Sequence, residues 1–256
     1  MSTADQSSLG SQSRNKAGRI SISGFLGPDD DLASVTVVRP PAQHNKGDSA
    51  EARASPVAAP EPRGRQPGDP LRQKRTFPRG SHRFGTYAFL ESSLRAERPH
   101  EVVPVPAMVN HDEWLAVNVV LLYNQISRLY GLVVDEHCRK GSGECRVKMM
   151  GGRGVEYLFA DGIRSRQPES APASRYIEHL FAWLDAQLDD TRLFPVKDFA
   201  VYPSGWEKGT VRVMVKRMYR VLAHLHFAHR SDLPEAEQRA LDQITMHCQF
   251  LARHFR

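Results

Sequence analysis

KRMYRVLAHLHFAH, residues 216–229, sets a basic cluster and three histidines on one strongly periodic run. The run reads as the end of a helix that begins near Lys208 and delivers His224, His226 and His229 close together. Far upstream, the glycine-broken loop CRKGSGEC carries Cys138 and Cys145. Two thiols and two imidazoles make a closed tetrahedral zinc set, which holds a fold together instead of activating water. His224 and His229 resemble the histidine half of structural zinc sites, yet on a regular helix they diverge by about 140°. Either the helix ends before His229, or His226 and His229 form the pair. Six residues separate the thiols, against roughly two to four in most structural sites. Gly141 and Gly143 let that loop fold back so that both sulfurs reach one ion. The metal-free alternative is one core histidine and two solvated ones.

Outward from this pair of motifs, composition divides the chain near residue 76. Phe25 is the single aromatic residue before Phe77, and eight of the 17 prolines fall in residues 1–76. Such a segment buries too little apolar area to offset its ordering entropy, so residues 1–76 are expected to be disordered. Residues 77–256 are expected to form one domain with a sizeable core. The net charge of +6 is spread over both parts, and this diffuse basicity argues only weakly for nucleic acid or a membrane surface. Three cysteines give no disulfide framework, Cys248 lying in an apolar helical pattern. The start MSTADQSSLG has neither a basic n-region nor an apolar core, and no apolar run approaches a membrane span. The expected location is cytoplasmic, with nuclear or cytoskeletal pools also open.

Helical periodicity dominates residues 77–256. Leu115, Val119, Leu122, Ile126 and Leu129 recur at three and four from His111 to Gly131, with Asn110 as cap and Gly131 as stop. RVKMM and VEYLFA, parted by GGRG and closed by Asp161-Gly162, read as a small hairpin beside the cysteine loop. Residues 174–190 form a second helix with Tyr176, Leu180, Trp183 or Leu184, and Leu188 facing inward. After the helix containing residues 216–229, a fourth starts with Ser231 or Asp232 as cap and Pro234 near its first turn. Four helices and a minor hairpin imply a mostly α domain.

FPRGSH, DEWLAVN, YNQISRLYG, EYLFADG, APASRYIEHLFAWLDAQLDD, LFP and KRMYRVLAHLHFAH follow one another over residues 77–229. In that order and at those distances they resemble the Mob (Mob/phocein) family of kinase regulators, and the resemblance covers roughly residues 77–255. It implies a core built around a four-helix bundle, a structural zinc ion, no catalytic activity, and a role as adaptor and co-activator of NDR/LATS-type AGC kinases. Such members bind a basic segment N-terminal to the kinase domain and recognise phosphorylated partners such as Ste20-like kinases. A phocein-like scaffold subunit of a phosphatase-linked complex is the alternative inside the family.

The resemblance puts the zinc ligands on Cys138, Cys145, His224 and His229. It puts a phosphopeptide site on Lys216, Arg217 and Arg220, whose spacing stacks Lys216 above Arg220 with Arg217 alongside. It puts the kinase-facing surface on Asp112, Glu113 and Trp114, where acids at a helix start also suit the helix dipole and Trp114 also suits a core. Val109 stands where some members carry a further acid. Ser93 in ESSL falls where some carry a phosphorylated threonine, and Ser55-Pro56 is a separate tail candidate. A metallohydrolase is disfavoured because four protein ligands leave no open position and no HExxH occurs. A nucleic-acid binder is disfavoured because aromatic residues are not interleaved with the basic ones.

Overall fold

The computed structural model describes residues 35–37, 74–95, 104–141, 143–152, 154–160 and 167–255. Its elements are β1 (Val35–Val37), α1 (His82–Arg95), α2 (His111–Val133), β2 (Met150–Gly152), β3 (Val155–Tyr157), α3 (Ala173–Asp189), α4 (Arg212–Ala228) and α5 (Glu235–Ala252). Helix α2 is the axis of the core. Asn110 caps it, its side-chain oxygen accepting from the backbone N–H groups of Asp112 and Glu113 at 2.9 and 3.2 Å. Leu115, Val119, Leu122, Ile126 and Leu129 are all fully buried, as their spacing requires.

Gly131 does not stop α2. The helix runs on to Val133 and widens into a π-helical turn, Val134–Arg139, that carries Cys138. Val133 and Val134 are both fully buried, and each gains about 1.5–3 kcal/mol by burial, more than the roughly 1 kcal/mol a helical glycine costs. By length and composition this extended helix could cross a bilayer, contrary to expectation, but 78% of its apolar window is buried by the rest of the fold.

Helix α1 is an element the periodicity did not announce. Tyr87, Leu90 and Leu94 face the core, while Phe84 and Phe89 stand exposed on the opposite side and blur the pattern. Helix α2 packs against α1, α4 and α5, and α4 packs against α5. Helix α3 lies against α4 and the cysteine-bearing turns, and reaches α2 through Phe181, edge-on to Tyr123 at 5.4 Å. Along α3, Leu184 takes the core position and Trp183 stays half-buried at its edge.

Strands β1, β3 and β2, in that order, form an antiparallel sheet, with Val35 opposite Tyr157 and an irregularity in β2 between Met150 and Gly152. A Cβ on Gly151 would collide with the Tyr157 ring, so glycine is required there, and Gly154 turns the hairpin at φ +76°. The expected Asp161-Gly162 turn lies outside the described residues. So does most of the expected disordered segment 1–76, including Ser55-Pro56. Within that segment the described residues are Val35–Val37 and the last three, 74–76. There Asn124 brackets the backbone of Arg75, accepting from its N–H and donating to its carbonyl, both at 2.9 Å. The Arg75 guanidinium spans Asp185 and Asp189 on α3 at 2.9 and 2.8 Å.

Helix α5 begins without the expected serine or aspartate cap. Ser231 and Asp232 belong to a preceding 3-10 turn, and the Pro234 carbonyl accepts the first helical N–H groups, from Glu237 and Gln238. Asp232 is engaged instead with His229.

Candidate metal centre

Three chain segments meet at one point: the π-helical turn after α2, the short 3-10 turn Glu144–Arg146, and the C-terminal end of α4. The π turn brings Cys138 inward, the 3-10 turn brings Cys145, and both thiols are buried. Helix α4 ends at Ala228, so His229 leaves helical geometry, at φ −131° and ψ 8°. That break resolves the angular conflict between His224 and His229, and both rings are buried. The Nε2 atoms of His224 and His229 lie 3.4 and 3.1 Å from the Cys138 sulfur. Ligand atoms of Cys138, Cys145 and His229 all lie within 4.8 Å of one another. Atoms held by one tetrahedral zinc would sit about 3.3–3.8 Å apart, a spacing the two Cys138–histidine separations approach, while His224 stands outside the group of three. His226 is turned away, its Nδ1 lying 3.5 Å from Asp242.

Each histidine is aimed by a second contact. His224 Nδ1 lies 2.8 Å from the Met150 carbonyl on β2, and His229 Nδ1 lies 2.9 Å from Asp232 Oδ2. A carbonyl or carboxylate on Nδ1 fixes the tautomer that turns the Nε2 lone pair towards the thiols. Burial pulls His224 down to about 4, so the ring is neutral near pH 7, the form a metal ligand needs. Burial, with Cys145 alongside, pushes the Cys138 thiol up. The donor set therefore fits a metal ion, and Cys138, Cys145 and His229 form a group able to hold one. A groove of about 900 Å³, lined by His137, Cys145, Met150, Phe227, His229 and Asp232 among others, runs beside the centre.

Lys216, Arg217 and Arg220 lie in the first half of α4, up to its midpoint at Arg220, graded in depth. Lys216 and Arg217 are half-buried and Arg220 is buried. Arg220 donates from Nη1 to the Tyr176 hydroxyl at 3.1 Å and lies over the Tyr157 ring at 5.6 Å. Arg217 stacks on Trp183 with 4.3 Å between guanidinium carbon and ring centroid. The three cations share a helix face, as their spacing requires, but Arg220 is built into the fold.

The start of α2 departs further from expectation. Glu113 is 1% exposed and Trp114 fully buried, so neither is a surface residue. Glu113 accepts the backbone N–H of Phe199, and its other oxygen lies 3.6 Å from His82 Nδ1. Trp114 packs in the core, edge-on to His254 at 5.0 Å. The acid Glu113 thus pins the 195–202 loop, leaving Asp112 as the residue of the three that faces solvent. Val109 packs against the core. Ser93 lies half-buried in the last turn of α1 beside buried Leu94.

Sequence reasoning gave Asp232 and Trp183 only structural places, as a helix cap and an inward-facing residue, and Met150 none beyond the hairpin. Asp232, three residues after His229, carried a signal in that spacing. The Met150 carbonyl carried none, because a backbone contact has no residue-type signature.

A mostly helical domain with a small sheet, and a buried Cys138, Cys145 and His229 group able to hold a metal ion where α2, the hairpin and α4 converge, defines the class of the protein. Residues 91–256 match the Mob1/phocein family, a span that contains every residue of the centre, the basic face and the α2 start. The chain belongs to that family. It is 33% identical over 170 residues to MOB kinase activator-like 1A of Arabidopsis thaliana, covering 66% of this chain and 77% of the relative. MOB kinase activator-like 1B of Medicago sativa subsp. falcata is 31% identical over the same shares. MOB kinase activator-like 3 of Drosophila melanogaster is 33% identical over 165 residues, covering 64% and 73%.

Proposed function

We propose that this chain is a non-catalytic adaptor and co-activator of NDR/LATS-type kinases, stapled by one structural zinc ion. The observation that carries the reading is the match to relatives named kinase activators, over a span that includes the whole Cys/His group. In this reading Cys138, Cys145, His224 and His229 hold the ion, which when bound supplies the positive charge that lets both thiols ionise. The Met150 carbonyl and Asp232 aim the two imidazoles. The staple ties the end of α2 to the end of α4 and to the hairpin, so the partner surfaces keep their relative positions.

The kinase partner offers a basic segment N-terminal to its catalytic domain. Asp112 supplies outward negative charge at the start of α2, and complementary charge of this kind governs orientation and on-rate. Glu113 contributes indirectly by holding the 195–202 loop against α2. Lys216, Arg217 and Arg220 receive a phosphorylated partner such as a Ste20-like kinase, the arginines offering planar forks to a phosphate dianion. Phosphorylation of Ser93 belongs to the same reading, and a kinase would reach that side chain when the last turn of α1 opens. The protein acts in the cytoplasm, with nuclear or cytoskeletal pools following its partners.

Equilibrium binding of the full chain to N-terminal segments of NDR/LATS-type kinases tests the reading. Binding that Asp112→Lys weakens, with the fold intact by circular dichroism, is the expected result. Absence of binding to every such segment would turn the assignment to a phocein-like scaffold of a phosphatase-linked complex. A degenerate phosphothreonine peptide library tests the basic face, where combined Ala substitution of Lys216, Arg217 and Arg220 is expected to abolish capture.

A further inference from the structure

Resting on the kinase-binding reading of the α2 start, we infer that Met108 and Phe199 form an apolar docking surface there, fitted to a basic segment that also carries an aromatic or aliphatic side chain. Among the described residues, the non-glycine residues with positive φ are Met108 at 67° and Phe199 at 57°. Left-handed backbone is costly for a residue that bears a side chain and free for glycine. Both positions nevertheless send a large apolar side chain into solvent, Met108 being 95% exposed and Phe199 69%. Strain of this kind persists only where the surroundings over-determine it, and it gathers at binding sites.

The two positions converge on Glu113. Met108 stands two residues before the Asn110 cap, whose side chain accepts the Glu113 backbone N–H at 3.2 Å. The Glu113 carboxylate in turn accepts the backbone N–H of Phe199. From the other side, the buried Arg83 guanidinium donates to the Pro195 and Val196 carbonyls and to Asp198, whose second oxygen accepts the His82 N–H at 2.9 Å. The Phe199 ring lies 5.4 Å from the His82 ring, tilted by 40°. Held at these points, the loop presents its ring in one place, and little freedom remains to be lost on binding.

Val196 and Val201 are exposed as well, so apolar surface extends along the loop. Aromatic and methionine side chains are types enriched at protein interfaces. Asp112, next in sequence to Glu113, turns its carboxylate outward and supplies negative charge for a basic residue of the segment. Lys197, exposed two residues before Phe199, opposes that charge, so affinity comes from the apolar pair and not from attraction alone.

The experiment compares the full-length wild type with Phe199→Gly, Phe199→Asn and Met108→Gly, replacements that tolerate the left-handed backbone. The probes are the NDR/LATS-type kinase segment that the wild type binds most tightly, and a copy whose aromatic and aliphatic residues are serine while its basic residues are kept. Each variant should melt close to the wild type yet bind the native segment roughly tenfold more weakly, and each should bind the serine copy as the wild type does. Read as a double-mutant cycle, that pattern isolates the contact between the apolar pair and the segment. The inference is overturned if any variant binds the native segment like the wild type, or if the loss is the same for both segments. Binding lost together with a fall in melting temperature marks these side chains as packing and overturns it too. A wild type that binds no such segment removes the kinase reading and this surface with it, whereas a bound segment indifferent to Met108 and Phe199 removes only the surface.

Discussion

The two halves of α4 carry residues picked out by the same kind of sequence signal, yet the fold treats them differently. At the C-terminal end, His224 and His229 are buried, and each ring is aimed by a contact from elsewhere, the Met150 carbonyl or Asp232. In the first half, Lys216, Arg217 and Arg220 descend from half-buried to buried, each arginine leaning on an aromatic side chain of α3 or β3. Spacing shows which side chains share a face. Depth is set by what packs on that face, and spacing does not record it.

Breaking the staple should have the largest effect. Cys138→Ser, or chelation of the metal, is expected to cost several kcal/mol, because metal-binding energy at a structural site is folding energy. Calorimetry on metal-loaded and chelated protein measures it, and equal melting temperatures would show that the staple does not support the fold. Glu113→Lys comes next, at about 3–5 kcal/mol, since it leaves a charge buried and removes the acceptor of the Phe199 N–H. Denaturant titration should find that loss, and a variant as stable as wild type would return Glu113 to the surface.

Acid should then reveal burial that owes nothing to metal. His247 is fully buried between α5 and α2, Nε2 lying 2.7 Å from Asn118 Oδ1, and burial lowers it to about 4. The unfolded chain takes up this proton first, near pH 6.5, so the contribution is complete above that pH and is lost as pH falls towards 4. The expected loss is on the order of 3 kcal/mol by urea denaturation, and stability that is flat from pH 7 to 4 would contradict it.

A smaller change sharpens the contrast at the staple itself. Asp232→Asn keeps the shape but weakens the hold on His229 Nδ1, and metal affinity should fall by about 10–100-fold in a competition assay with a chelator dye. Unchanged affinity would mean that Asp232 does not orient the ring. Asp112→Lys should be the mildest, shifting stability by no more than about 0.5 kcal/mol while slowing association with a basic kinase segment. Association as fast as wild type would place the kinase surface elsewhere.

Much of this was legible in the sequence. The α2 face was readable because five apolar residues repeat at helical spacing, and the meeting of Cys138, Cys145 and His229 because thiol and imidazole chemistry is narrow. The conflict between His224 and His229 was visible as well, and its resolution, a helix that ends at Ala228, was one of two options open from the start. What escaped depends on distant chain. Glu113 is buried by a loop 86 residues away, and Arg220 by Tyr176, 44 residues away, and no local pattern records either. Helix α1 was hidden by Phe84 and Phe89 on its outer face, and Gly131 signalled a stop that two buried valines override.

The most direct measurement is native mass spectrometry of the full chain, purified without added metal, alongside His224→Ala and His226→Ala. One zinc ion per chain in the wild type and in His226→Ala, with none in His224→Ala, is the predicted result. Zinc retained by His224→Ala but lost from His226→Ala, or a wild type that carries none, would contradict the staple at the C-terminal end of α4.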